Sequence, residues 1–189
     1  MRTLVSTLSL LCLLAFSTAA MAANGKFKIT SPDFVNGGTI RMAQVFNSFG
    51  CSGGDISPAL HWSGAPAGTK SFAITIYDPD APTGSGWWHW VVFNIPADVS
   101  SLPAGAGAAN SSTLPAGAIQ ARTDFGFSNY GGPCPPAGDK PHHYHVTVYA
   151  LKLAKLPLDA NASGAMVGYY LHFNTLAEAH LIGLFGRKK

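Results

Sequence analysis

Three short stretches carry residue types that can do chemistry together. Asp78-Pro79-Asp80-Ala81-Pro82 sets two carboxylates beside two prolines, and Trp87-Trp88-His89-Trp90 holds one imidazole inside an aromatic run. His142-His143-Tyr144-His145 follows a Gly/Pro-rich loop at 129–141. Pro79 keeps Asp78 in extended or turn backbone, where Asp78 and Asp80, two apart, share a face. An acid so placed can orient an imidazole or meet a cationic ligand group; equally, both acids can cap their own turn. His89 reads either as a pocket imidazole or as a polar group satisfied inside an aromatic core. A metal reading would join His89 to the H-x-H pair His143/His145, because zinc takes three or four such ligands. His142 faces the opposite way from His143 and His145, and no Glu stands at ligand spacing, so no metal and no cofactor are assigned. The hydrolase and nucleotide motifs G-x-S-x-G, H-E-x-x-H, the P-loop and a helix-opening G-x-G-x-x-G are absent from the sequence. A small-anion pocket suits these residue types better. Imidazoles and a tyrosine hydroxyl donate to oxyanions, a Gly/Pro loop offers backbone N–H groups, and tryptophans supply an apolar lip.

The elements that must position these groups are strands. Residues 71–77 alternate, with Phe72, Ile74 and Ile76 on one face. Residues 88–95 are almost continuously apolar and read as a strand buried on both faces. Residues 143–151 alternate again, with Tyr144, Val146 and Val148 together. The chemistry thus sits where strands end. Shorter strands are expected at 26–30, 39–46, 60–62 and 119–123. The segment 98–117 is Ala, Gly, Pro and Ser-rich and reads as a long surface connection without core residues. A short helix is expected over 163–170, and Thr175-Leu176-Ala177-Glu178 reads as a capping box opening a last helix to about Phe185. The sum is a mostly β fold, a central antiparallel β-sandwich with small peripheral helices.

Residues 1–22 stand apart from this pattern. Arg2, an apolar run and Ala20-Met21-Ala22 read as a secretory signal peptide cut before Ala23. That leaves 23–189 as a single domain, periplasmic or secreted, with no later run apolar enough to be transmembrane. Its 11 basic and 9 acidic residues are scattered, a net charge of +2. This gives nucleic-acid binding no electrostatic footprint. Cys51 and Cys134 remain; in an oxidising compartment they suggest one disulfide, the alternative being two buried thiols.

Four motifs in order resemble the phosphatidylethanolamine-binding protein family, most of all its bacterial kinase-inhibitor-like branch. They are D-P-D-A-P at Asp78 to Pro82, W-x-H at Trp87 and His89, G-x-x-P-P-x-G at Gly132 to Gly138, and H-x-Y at His142 and Tyr144. Ile56 to Trp62 and Ser163 to Gly168 extend the likeness over nearly all of the mature chain. The resemblance implies a β-sandwich with peripheral helices and a pocket for small anions and phosphoryl headgroups. Carried over by motif, that pocket would contain Asp78, Pro82, Trp87, His89, Pro135, His142 and Tyr144. His89, His142 and Tyr144 would contact the anion, while Asp78 would hold a histidine or meet the ligand's protonated side. Two positions depart from the family. His143 stands where animal members have arginine, and Cys134 where the pocket loop usually has glycine. The expectation is an exported, non-enzymatic binding protein for phosphate-like or phospholipid-headgroup ligands. The alternative is an inhibitor or interaction module acting on a protease, kinase or host protein.

Overall fold

The computed structural model describes residues 26–189, so the segment 1–22 read as a signal peptide lies outside the described residues. In chain order the elements begin with strands β1 (Lys28–Thr30), β2 (Gly38–Thr39), β3 (Leu60–Ser63), β4 (Ser71–Asp78) and β5 (Trp87–Pro96). They continue with β6 (Ser101–Leu102), β7 (Ile119–Gln120), β8 (His142–Leu151), helix α1 (Gly164–Asn174) and β9 (Thr175–Phe185). Six strands form one sheet in the order β2-β9-β8-β4-β5-β7, and β1-β3-β6 form a second. All pairings are antiparallel except the short β2–β9 pair. No helix among the described residues is long and apolar enough to cross a membrane.

The main core lies between the sheets. Ile29, Leu60, Trp62 and Leu102 of the small sheet cluster with Ile74, Ile76, Val92, Val146 and Val148 of the large one. On the large sheet's other face, Val167 and Leu171 of α1 cover Ala73, Val91, Phe93 and Leu151. Strands β4 and β5 are therefore apolar on both sides because both sides are covered. The mostly β sandwich expected from the strand pattern is the observed architecture. Ser163 caps α1 by accepting the Met166 N–H at 3.2 Å. Gly164 then lies directly against the Trp88 indole, where a Cβ would overlap the ring.

Three expectations need correction. Residues 175–185 are not a helix but strand β9, inserted between β8 and β2. Thr175 does cap a helix, but the preceding one: its N–H and its hydroxyl both donate to the Leu171 carbonyl at the end of α1. Residues 39–46 do not continue as a strand. Thr39 pairs with β9 and the Ile40 N–H donates to the Leu184 carbonyl, but the Gln44 and Val45 amides then bond back to Arg41 and Met42 in turns. The 98–117 connection is not free of core residues, because β6 pairs with β3 and buries Leu102, and Ala106 is buried beside it. The expected short helix is present and extends further, to Asn174.

Candidate functional site

Strands β4, β5 and β8 bring their chemically active ends to one place, and an irregularity in β5 aims the imidazole. Ile76 pairs with Trp90 but Tyr77 pairs with Trp88, so His89 is an extra residue opposite β4. A bulge of this kind bends the strand and re-aims a side chain. Strict alternation would set Trp88 and Trp90 on one face. The bulge instead sends Trp90 into the inter-sheet core and Trp88 toward α1. His89 then faces Tyr144 edge-on, with ring centroids 5.1 Å apart. Both tryptophans flanking His89 pack, on opposite faces of the sheet.

Two Asp–His pairs sit side by side at the β4–β8 ends. Asp78 and His142 are both buried, with Oδ2 and Nδ1 2.8 Å apart. The other Asp78 oxygen accepts the Asp80 N–H at 2.8 Å. Asp80 itself turns outward and accepts both the backbone N–H of His143, at 2.8 Å, and its Nδ1, at 2.7 Å. The slight burial of Asp80 opposes its charge, but the bonds and charge of His143 outweigh it and hold the carboxyl below its ordinary range. The Asp139 carboxylate lies 3.7 Å from His142 Nε2.

The facing wall is the 131–136 loop, tied down from four directions. His89 and Gly131 bond reciprocally: the ring Nδ1 lies 2.8 Å from the Gly131 carbonyl, and the Gly131 N–H donates to the His89 carbonyl. The Gly132 N–H donates to Asp55 at 2.8 Å, and burial pushes the Asp55 carboxyl up despite that bond. Only glycine fits at 132, since a Cβ would overlap the backbone of Gln44, Val45 and Phe46. Cys134 is bridged to Cys51, with Cα atoms 6.0 Å apart. The Arg187 guanidinium spans the Pro135 and Gly50 carbonyls at 3.2 and 2.8 Å.

Between these walls lies a cavity of about 200 Å³. All seven residues named from the sequence line it: Asp78, Pro82, Trp87, His89, Pro135, His142 and Tyr144. The pattern did not single out Phe49 and Phe125, which complete the apolar lip. Phe125 meets Trp87 and His89 edge-on at 5.3 and 5.4 Å. Phe49 stands exposed at the mouth with φ of 53°, in the left-handed region that a bulky residue seldom enters. Among the described residues that line the cavity there is neither lysine nor arginine.

Its hydrogen-bonding capacity is incompletely used. The Tyr144 hydroxyl and the Trp87 indole Nε1 are buried and have no partner among the described residues. Burial, and then the Asp78 carboxylate, push the Tyr144 phenol up, so it stays protonated and able to donate. Burial holds His89 down at about 4, against the opposing pull of the Gly131 bond and the Asp78 charge. At neutral pH this ring is uncharged.

Residues 30–186 match the family described as "Phosphatidylethanolamine-binding protein". The chain is similar to YbcL of Escherichia coli K12, 52% identical over 185 residues that cover 98% of each chain. It is also similar to YbhB of the same organism, 50% identical over 158 residues, 84% of this chain and 99% of that one. The crystal structure of Escherichia coli YbcL, described as a new member of the mammalian PEBP family, matches with a TM-score of 0.85 at 54% identity. The match covers 87% of this chain and all of that one.

Proposed function

Because this chain belongs to the phosphatidylethanolamine-binding protein family, we propose that it is an exported, non-enzymatic binding protein whose cavity takes phosphate-like or phospholipid-headgroup ligands. The observation that carries this reading is the pair of buried donors, Tyr144 Oη and Trp87 Nε1, left without partners on residues that line one cavity. Unpaired buried donors cost roughly 1–3 kcal/mol each, and a ligand supplying acceptor oxygens recovers that cost. Asp78, bonded to His142, orients the second imidazole at the cavity wall. The loop of 131–136 is held by bonds that do not depend on a ligand, so the wall is formed before binding. Export is supported by residues 1–22, which read as a signal peptide, and by the Cys51–Cys134 bridge, which persists in oxidising compartments.

Titration calorimetry with phosphorylethanolamine tests the proposal. The wild type is expected to bind, and His89→Ala and His142→Ala are expected to lose binding while keeping the fold. Absence of any anion binding by the wild type at millimolar concentration would sink this reading.

A further inference from the structure

The donor and acceptor pattern of the cavity says more about its ligand than its charge does. A carbonyl oxygen can only accept, so the 2.8 Å contact to Gly131 fixes the proton of neutral His89 on Nδ1. Nε2, which has no hydrogen bond among the described residues, then carries a lone pair and accepts. Residues lining the cavity thus hold two donors without partners, Tyr144 Oη and Trp87 Nε1, and an acceptor, His89 Nε2, beside the His142 ring, whose Nδ1 is taken by Asp78.

The charges that bear on His89 are carboxylates. On β4, Asp78 faces it. On β8, Tyr144 packs against it, and His142 lines the same cavity with its Nδ1 2.8 Å from Asp78 and its Nε2 3.7 Å from Asp139. After β7, the Asp124 carboxylate bears on His89 while bonding the Trp88 N–H at 2.7 Å. The 131–136 loop presents no charged side chain.

A phosphate dianion has acceptors only, and would set a second negative charge and an oxygen lone pair against Asp78 and His89 Nε2. A phosphodiester carries a single negative charge but still has no donor. A phosphate monoester that keeps one proton carries the same single charge and adds a P–O–H, which donates to His89 Nε2 while its other oxygens accept from Tyr144 and Trp87. We propose that the cavity selects phosphate monoesters in their singly protonated form over the phosphodiester of an intact phospholipid. This rests on the anion-pocket reading above.

Calorimetry of the full mature chain with phosphorylethanolamine (a monoester) and glycerophosphorylethanolamine (the corresponding diester) tests it. Both ligands are titrated at pH 6.5, 7.5 and 8.5, each in two buffers of different ionisation enthalpy. The second ionisation of such a monoester lies near pH 6. Above it, monoester affinity is expected to fall about tenfold per pH unit, with one proton taken up per ligand at pH 8.5. The diester is expected to bind at least tenfold more weakly at pH 6.5, with no proton uptake. Monoester binding that is flat from pH 6.5 to 8.5 without proton uptake overturns the inference and leaves the anion pocket standing. So does a diester bound as tightly as the monoester. No binding of either ligand at any of these pH values overturns the anion pocket itself, and this inference with it.

Discussion

Tyr144 is the residue at which binding and stability separate. Its hydroxyl is buried without a partner, so Tyr144→Phe removes an unsatisfied group from the ligand-free protein. The variant is expected to be more stable by about 1 kcal/mol in urea unfolding, while its affinity for phosphorylethanolamine falls about tenfold, the loss of one bond to a charged group. His89 works in the opposite sense. An unfolded imidazole titrates near 6.5, and burial holds this one at about 4. Between those values the unfolded chain binds more protons, so the His89 contribution is complete above pH 6.5 and is lost as pH falls toward 4. The slope reaches about 1.4 kcal/mol per pH unit. Unfolding at pH 7, 6 and 5 measures it, and His89→Gln should flatten it. The placement of Asp78, His89, His142 and Tyr144 around one cavity was legible because they lie at strand ends in short, ordered motifs. Phe49 and Phe125 were not, because an aromatic in a Gly- and Ser-rich loop has no period to mark its face. Asp55, Asp124 and Arg187 act on partners far away in sequence, and local spacing carries no trace of that.

At the scale of elements, β9 shows how a strong local signal can be outvoted. Thr175 to Glu178 fits a helix-opening pattern, and Ala, Glu and Leu favour helix. Yet β8 on one side and β2 on the other offer backbone partners along 175–185, and tertiary pairing decides. The alternation was present all along: Ala177, Ala179, Leu181 and Gly183 point into the core while Leu176, Glu178 and His180 point out. The small inward residues muted it. Gly183→Ala distinguishes the two readings by sign. In a helix it would stabilise by about 1 kcal/mol. In β9 the new Cβ meets Ile40 and Phe34 at 2.6 to 2.9 Å, an overpacking expected to cost about 1–3 kcal/mol in urea unfolding. The three long strands were readable because an apolar run or a clean alternation survives in each. The His89 bulge was not, because it is a property of the pairing with β4 rather than of β5 alone.

For the molecule as a whole, the disulfide is the longest-range covalent constraint. Cys51 and Cys134 are separated by 83 residues, for which chain entropy assigns the bridge about 4.5 kcal/mol. Replacing both by serine, or reducing the wild type, is expected to lower stability by up to that amount. Thermal melts with and without reductant check this, and the double variant should be indifferent to reductant. The topology also orders events in time. β9 comes last among the strands but lies inside the large sheet, between β2 and β8, and Arg187 just beyond it braces the cavity loop. A chain synthesised from its N-terminus therefore leaves one edge of β8 unpaired until residue 185 has emerged, however early β4, β5 and β8 associate. A product truncated after α1 would expose that edge to other chains and would lack the Arg187 brace. The cavity is completed only in a chain whose translation has run to its last strand and beyond.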